Sequence, residues 1–224
     1  MSAHTQRRKL IPRLIGAGAL LVLVIAMLLN TKFLTPEEVD ALTPDQFDPE
    51  ETAQELYASV QSEMTEDPAP LGDVTSALDE DPEAAAEEFE AQTVSEGTVV
   101  FAVIAEGTVA EATADNLILS VDGVSEGRQI VVPLSTALDG NLIRDVSGFR
   151  FGDAPGQTGY QRVGTEISTL LRGDAQEAAG EDPESLAGED ITVSGVMRYV
   201  ATDAEGDDER PIIIQPLNLE VGSS

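Results

Sequence analysis

The sequence predicts an α+β protein with three parts in order: a transmembrane helix, an acidic helical segment and a mostly antiparallel β-domain. Three observations lead to this prediction. Residues 14–31 carry no charge, residues 35–92 combine helical periodicity with many carboxylates, and from Gly97 onward short β-branched runs alternate with turn signals. Because the hydrophobic period changes near Gly97, we place the boundary of the β-domain, residues 97–224, at that position.

The N-terminal part is predicted to cross the membrane once. Residues 1–13 carry no acidic side chain and hold four basic ones: Arg7, Arg8, Lys9 and Arg13. The uncharged run of 18 residues that follows, 14–31, approaches the length of about 20 apolar residues that a spanning helix needs. The positive-inside rule then places the basic tail in the cytoplasm and residues 33–224 in the periplasm or its extracytoplasmic equivalent.

A cleaved signal peptide is the alternative interpretation of this segment. Its apolar region would be about 7–15 residues long and would end at a small-x-small cleavage site. The run here is longer, and Leu29 is followed by Asn30, Thr31, Lys32 and Phe33, which provide no such site. We therefore expect an uncleaved signal anchor in the cytoplasmic membrane.

Residues 35–92 are predicted to form short helices. Helix starts are indicated at Pro36, Pro44, Pro49 and Pro82, because each proline follows a Thr or Asp cap and precedes acidic residues. Apolar residues after the third start recur on one helical face: Ala53, Leu56, Tyr57, Val60 and Met64. We interpret this stripe as a core contact with the following domain. A further short helix is marked by Leu71, Val74 and Leu78.

The β-domain is predicted to contain five or six short strands and one helix. Strands are expected in 98–105, 107–112, 116–121, 128–134, 191–200 and 211–221, and the helix in 163–171. Pro133 indicates that its strand ends at an edge of the sheet. Residues 173–190 are predicted to form an acidic loop, and residues 203–210 are predicted to form the polar tip of a hairpin. Strand glycines Gly107 and Gly195 suggest sharp bends, which favour an OB-like barrel. A flatter antiparallel sandwich is the alternative.

The exported part is strongly acidic. All 42 acidic residues follow position 32, with seven arginines and no lysine, so residues 33–224 carry 7 − 42 = −35. Such a surface disfavours nucleic acid, whose binding depends on cationic side chains that neutralise phosphates. We interpret the charge as a means of solubility, with functional cation binding as the alternative.

Few kinds of catalysis are compatible with this composition. The only histidine is His4, before the membrane segment, and there is no cysteine. Triads, thiol nucleophiles, thiolate or imidazole metal sites and disulfides are therefore excluded outside the membrane. A carboxylate-only glycosidase is disfavoured because no Trp offers a sugar platform, and a calcium loop in 203–209 lacks the required pattern. We expect no enzyme activity, cofactor or metal.

One cluster combines residue types that are scarce elsewhere in the domain. Two arginines and two phenylalanines fall within residues 144–151, and a planar guanidinium stands beside a carboxylate. One hypothesis is a buried ion-pair and hydrogen-bond network that holds a loop across the barrel. The other is a recognition site for a sugar, a peptide or a partner. The candidate binding residues are Asn141, Arg144, Asp145, Phe149, Phe151, Gln157 and Tyr160.

These residues carry a family resemblance. The chain resembles a bacterial family of predicted periplasmic lipoproteins, domain of unknown function 2291, from about residue 35 to 221. The landmarks lie in residues 47–50, 107–109, 140–145, 148–152, 157, 160 and 215–221. The resemblance implies association with sugar ABC transporters, especially of the ribose type. No activity is established for the family, so the resemblance carries none over to this chain. The chain lacks a cysteine for lipid attachment, and it has Ala154, Pro155 and Gly156 where the family has Phe and Asn.

Two functions follow as expectations. The first is a non-catalytic accessory module that binds a solute, or a permease or sugar-binding protein of a sugar ABC transporter, with residues 14–31 as its only tether. The second is a purely structural envelope protein without a ligand, in which the cluster only holds the barrel together.

Overall fold

The computed structural model describes residues 47–125, 127–200 and 210–222, together with Leu20 and Met27. Phe47–Ser224 forms one compact unit, and the account below concerns this unit alone. The basic tail, the membrane segment apart from Leu20 and Met27, the helix starts at Pro36 and Pro44, and the hairpin tip before Arg210 lie outside the described residues. Within the described part of the chain, no helix is both long and apolar enough to span a membrane.

In the described residues before position 90, three helices form: α1 (Pro49–Glu66), α2 (Leu71–Glu80) and α3 (Pro82–Glu88). Two of them begin at the predicted Asp-Pro caps. The Asp48 carboxylate accepts hydrogen bonds from the backbone N–H groups of Glu50 and Glu51, and Asp81 does the same for the first turn of α3. These carboxylates satisfy N–H groups that a helix start leaves without intrahelical partners.

The predicted apolar stripe of α1 is buried. It packs with Val100, Val196 and Leu217 of the sheet and with apolar residues of the helices in 140–179. Its members are Ala53, Tyr57, Val60 and Met64, with Leu56 partly buried beside them. The prediction that Tyr57 and Met64 are core contacts is therefore confirmed.

In the part of the chain that the structure describes, seven strands form a single sheet: β1 (Ala69–Pro70), β2 (Gln92–Ser95), β3 (Thr98–Ala112), β4 (Asn116–Val121), β5 (Ile130–Pro133), β6 (Asp190–Val200) and β7 (Ile212–Val221). Five strands pair in a ring, in the order β3-β4-β5-β7-β6 and back to β3. The β5–β7 pair is parallel and the other four are antiparallel. The described strands therefore form one sheet that pairs around a ring, and not the flatter antiparallel sandwich that was the alternative.

The ring is not a clean barrel. The β5–β7 junction contains two residue pairs, and β1 and β2 add to β3 outside the ring. Pro133 pairs with Asn116 of β4 and lies beyond Val131, the last residue of β5 that pairs with β7, so β5 is paired on one side only at this position.

Both predicted glycine positions are sites of close backbone approach. A β-carbon at Gly107 would lie 2.2 Å from the carbonyl oxygen of Ser120, and one at Gly195 would lie 2.1 Å from that of Gln215. The β6–β7 register also shifts between Ser194 and Gly195. Only glycine fits such contacts without displacing the neighbouring strand.

Side chains on the two faces of β3 enter two different cores, because successive residues of a strand point to opposite sides. Phe101 and Val103 belong to a cluster with α2, β4 and β5. Val100 belongs to a second cluster with α1 and the helices between β5 and β6. The sheet is thus covered on both faces, and the second cluster supports the candidate site.

Two helices connect β5 to β6: α4 (Gly140–Val146) and α5 (Gly156–Ala179). The predicted helix at 163–171 is the centre of α5, which is 24 residues long. The predicted loop at 173–190 is wrong, since α5 continues to Ala179 and a 3₁₀ helix spans Pro183–Leu186. Buried Ala175 and Ala179 continue the apolar face of α5, which explains the longer helix.

Candidate functional site

The candidate site is built on a close contact between α4 and α5. A β-carbon at Gly140 would lie 2.2 Å from the carbonyl oxygen of Gly164, so the two backbones nearly touch. The N–H of Gly140 donates to Ser168 Oγ at 3.0 Å, which joins the start of α4 to the middle of α5. The side chain of Asp139 caps α4 by accepting from the N–H groups of Asn141 and Leu142.

Arg144 lies at the centre of the site and is only 6% exposed. Its Nε and Nη2 atoms donate to Asp145 Oδ1 at 3.0 and 2.8 Å. Its Nη1 atom donates to Asn141 Oδ1 at 2.9 Å and to the Tyr160 carbonyl at 3.2 Å. These four hydrogen bonds use most of the donors of a guanidinium, which has five N–H groups. Arg144 therefore joins α4 to α5 and retains little capacity for a ligand.

Tyr160, in the second turn of α5, completes this network. Its ring covers the Arg144 guanidinium at 3.7 Å from the ring centroid, and its hydroxyl donates to Asp145 Oδ1 at 3.0 Å. Partial burial and the bond to Asp145 raise the pKa of Tyr160 above its ordinary value. The phenol is therefore held neutral, as a donor to the carboxylate that also binds Arg144.

Four aromatic rings meet at this point. Phe149 lies parallel to Tyr160, with centroids 6.0 Å apart, and Phe47 stacks on Phe149 at 6.3 Å. Phe151 meets Tyr160 edge-on at 5.8 Å. Phe151 is 56% exposed, so the group, which we call the aromatic ladder, ends in a ring that faces solvent. Such pairs stabilise each other by about 0.5–1.5 kcal/mol beyond the area they bury.

Phe149 and Phe151 lie in the connection between α4 and α5. Gly148 has φ +80°, which ends α4 and turns the chain, and Arg150 lies in extended backbone before the next turn. Phe151–Asp153 is a 3₁₀ turn closed by Asp153, whose carboxylate accepts from the N–H of Arg150 at 2.7 Å. The exposed ring of Phe151 is therefore presented at the start of a 3₁₀ turn.

The structure brings six of the seven candidate residues together. Gln157 is the exception: it is exposed in the first turn of α5, and no hydrogen bond joins it to the other candidates within the described residues. Asn141 and Asp145 also line a shallow cleft of about 300 Å³ with Asp139, Arg198, Ser95 and Thr98. Whether these residues bind a ligand stays a prediction.

Sequence reasoning missed three contributors to the site. Phe47 was interpreted only as part of a helix opening, although it is one of just six phenylalanines in the chain. Gly164 was missed too, and a β-carbon there would lie 2.3 Å from Asn141 Oδ1 and 3.2 Å from Arg144 Nη1. Asp139 carried a detectable signal, since an Asp directly before an apolar helical run is a typical cap.

The site offers no metal or acid–base constellation. Within the described ranges, no group of three or more His, Cys, Asp or Glu side chains is arranged to hold a metal ion. Arg144, Asp145 and Tyr160 form a closed set in which cation, anion and phenol satisfy one another. The accessible groups beside this network are the ring of Phe151 and the polar side chains of the shallow cleft.

Known proteins similar to this chain agree with the fold. Residues 19–220 match the model of the family described as predicted periplasmic lipoprotein (DUF2291). Among solved structures, the crystal structure of an OB-fold protein from Thermotoga maritima is similar, with a TM-score of 0.60 and 23% sequence identity. The match covers 80% of this chain and 100% of that chain, and at this identity it shows the fold alone. No curated protein matches the chain.

Proposed function

The chain belongs to the DUF2291 family of predicted periplasmic lipoproteins, and from this premise we propose that it is a non-catalytic accessory module of solute uptake. The module stands on the outer face of the cytoplasmic membrane and docks a protein of a sugar ABC transporter, either the permease or its sugar-binding protein. The docking element is the exposed end of the aromatic ladder, Phe151 on Tyr160. No catalysis is required of it.

The exposure of Phe151 is the observation that carries this proposal. Among the described residues from 47 onward, Phe151 is the most exposed large apolar side chain, and aromatic residues are enriched at the centres of protein interfaces. The ring is also pre-positioned, because Tyr160 beneath it is fixed by Arg144 and Asp145. A docking residue held in place before binding loses less conformational entropy on association.

The tether is part of the proposal. A lipoprotein of this family would be held by a lipid on cysteine, and this chain contains no cysteine. We propose that residues 14–31 act instead as an uncleaved helix, with residues 1–13 in the cytoplasm. Protease added to intact spheroplasts should then degrade residues 33–224. Protection of the C-terminal domain, with degradation only after the cells are lysed, would overturn this topology.

Site-specific photocrosslinking in the native host tests the docking surface. Phe151 is replaced by a photoreactive phenylalanine derivative in the full-length chain, cells are irradiated, and adducts are identified. We expect an adduct with a permease or a sugar-binding protein. The matched control places the same derivative at Val221, another exposed apolar position. Equal adduct patterns at the two positions, or none at Phe151, would refute docking by this ring.

Solute binding is a second candidate, favoured by the shallow cleft beside the network. Its lining combines an amide, carboxylates, hydroxyls and one guanidinium, a set that suits a polyhydroxylated ligand. Asn141→Ala and Thr98→Ala should then reduce uptake without changing the Phe151 adduct. In the structural alternative, Phe151→Ala and both cleft variants leave uptake unchanged.

A further inference from the structure

One edge of β7 has no partner strand along most of its length. β5 pairs with β7 only at Ile212 and Ile213, whereas β6 pairs with the opposite edge as far as the end of the strand. Within the described residues, no other strand joins the edge that β5 leaves after Ile213. An open edge presents backbone N–H and C=O groups with which another strand can pair.

The hydrogen bonds at the end of β7 show which residue presents these groups. The N–H of Gly222 donates to the carbonyl oxygen of Asp190 at 2.8 Å, which makes these two residues a hydrogen-bonded pair. Because such pairs alternate with non-hydrogen-bonded pairs in antiparallel strands, Glu220 and Asn218 also bond to β6, and Leu219 does not. The N–H and C=O of Leu219 therefore point to the open edge.

A neighbouring carbonyl of this edge already accepts a donor from outside the sheet. Gln61 Nε2, on α1, donates to the Leu217 carbonyl oxygen at 2.6 Å. A side-chain amide offers the same N–H and C=O groups as a peptide unit, so this contact resembles the bond that an added strand would make. The edge is thus able to accept a peptide-like donor at Leu217.

A cleft of about 330 Å³, which we call the β7 cleft, runs beside this edge. Residues 216–219 of β7 line one side, and Gln61 and one turn of α5 line the other. Its charged lining residues, Asp174 and Glu177, are three positions apart on α5 and both exposed. Asp174 Oδ2 accepts from the Tyr57 hydroxyl at 2.7 Å, which leaves Oδ1 for a ligand. No basic side chain of the described residues lines the cleft.

The charge of the β7 cleft distinguishes between two occupants. A second copy of this chain would bring the same Asp174, Glu177 and Glu220 against the first, and like charges repel each other. A foreign peptide with a lysine or arginine would instead form charge-assisted hydrogen bonds with the carboxylates. Complementary charge therefore favours a basic segment of another protein.

We propose that the open edge of β7 binds an extended peptide segment of a partner protein. The segment pairs with the backbone of Leu219, and its lysine or arginine contacts Asp174 and Glu177. In this mode of recognition, main-chain hydrogen bonds provide affinity and side-chain pockets provide specificity. Asp174 lies 174 − 160 = 14 positions after Tyr160, about 21 Å along α5, so this site is separate from docking by Phe151 and either can be present without the other.

Hydrogen exchange of the full-length protein in a non-ionic detergent, measured by NMR, tests the open edge. The amide of Leu219 should exchange at least tenfold faster than those of Asn218 and Glu220, which bond to β6. The end-blocked peptide TVTKTVT should then slow exchange at Leu219. Equal protection of the three amides in the free protein, or no effect of the peptide at Leu219, would overturn the proposal.

Matched peptides separate the two contacts. In calorimetric titration of the same protein, TVTKTVT should bind at least tenfold more tightly than TVTETVT, in which glutamate replaces the lysine. It should also bind at least fivefold more tightly than a version with methyl groups on its three central backbone nitrogens, which cannot donate to a strand edge. Equal affinity of the first two peptides would refute the basic contact, and equal affinity of the first and third would refute strand pairing.

Variants locate the site. Asp174→Asn combined with Glu177→Gln should lower the affinity for TVTKTVT at least tenfold, and both side chains are exposed, so folding should continue. The matched control is Glu87→Gln combined with Glu88→Gln, which removes two exposed charges from α3, outside the cleft. Unchanged binding in the first double variant, or an equal loss in the control, would show that the peptide binds elsewhere or through general charge.

Discussion

The backbones of Gly140 and Gly164 touch so closely that a β-carbon at position 140 would lie 2.2 Å from the carbonyl oxygen of Gly164. No real β-carbon occupies such a position, so a methyl group must separate α4 from α5. That separation would pull Asn141 and Arg144 away from Tyr160. The candidate site therefore depends on two positions that have no side chain.

Gly140→Ala and Gly164→Ala should each lower the free energy of unfolding by about 1–3 kcal/mol, the usual range for overpacking a tight contact. Gly173→Ala is the control on the same helix, where an added β-carbon meets nothing within 4 Å. It should raise stability by about 0.5–1 kcal/mol, since alanine favours helix interiors. Thermal unfolding of the three variants measures this. Destabilisation by all three to the same extent would contradict a specific α4–α5 contact.

Arg144→Ala should lower the free energy of unfolding by about 2–3 kcal/mol. The change removes four hydrogen bonds and leaves Asp145 and the phenol of Tyr160 without their cation. Arg144→Lys should restore little, because an ammonium cannot replace the planar fork under the Tyr160 ring. Chemical denaturation compares these variants with Arg162→Ala, an exposed change expected to stay within about 0.5 kcal/mol. Full rescue by lysine would show that charge alone matters.

Replacing Phe149 or Phe151 with alanine should lower the free energy of unfolding by different amounts. Phe149 is partly buried between Phe47 and Tyr160, so Phe149→Ala should lower the free energy of unfolding by about 1–2 kcal/mol. Phe151→Ala should change it by less than about 0.5 kcal/mol because that ring is mostly exposed. Thermal melts of both variants decide this. If Phe151 proves as important for stability as Phe149, its main role is structural and the docking proposal weakens.

Stability at high pH should depend on Tyr57. Burial, and next the hydrogen bond to Asp174 at 2.7 Å, raise the pKa of its phenol well above the ordinary value of about 10. The folded state favours the protonated phenol, so this stabilisation is complete below pH ~10 and declines as the unfolded chain ionises above it. Tyr57→Phe should flatten that decline, as measured by unfolding between about pH 9 and 11.

Asp174→Asn separates the two causes of the Tyr57 shift. Burial is the larger cause and remains in this variant, so most of the decline at alkaline pH should persist. A profile as flat as that of Tyr57→Phe would mean that Asp174, and not burial, keeps the phenol neutral. Tyr160 adds a smaller contribution of the same sign, which both variants retain.

Local signals in the sequence predicted much of this fold. The caps at Asp48 and Asp81 and the apolar stripe of α1 depend on residues within one or two helical turns. The α5 extension did not follow from such signals, because Gly173 and several acidic residues suggested a loop. The burial of Ala175 and Ala179 against the core and the hydrogen bond from Tyr57 to Asp174 stabilise a helix there, and both are contacts made by the whole fold.

The candidate site also contains some contacts that local sequence signals predict and others that only the complete fold explains. Asn141 and Arg144 are three residues apart on one helix, so their contact is predictable from spacing. The contact of Arg144 with Tyr160 is not, since it requires α4 and α5 to approach through Gly140 and Gly164. Gln157 lies only three residues from Tyr160 in the sequence. In the described structure it is nevertheless exposed and makes no hydrogen bond with Arg144, Asp145 or Tyr160.

The longest described strand, β3, lies early in this unit, but its main partner, β6, comes much later in the sequence. Its pairing with β6 joins Thr98 to Val200 and Thr108 to Asp190, partners that are 200 − 98 = 102 and 190 − 108 = 82 positions apart. A chain that emerges N-terminus first therefore presents an apolar, unsatisfied strand edge while about ninety further residues are still being delivered. We expect newly exported molecules to require a chaperone during that interval, and truncation before residue 190 to yield aggregates instead of a smaller domain.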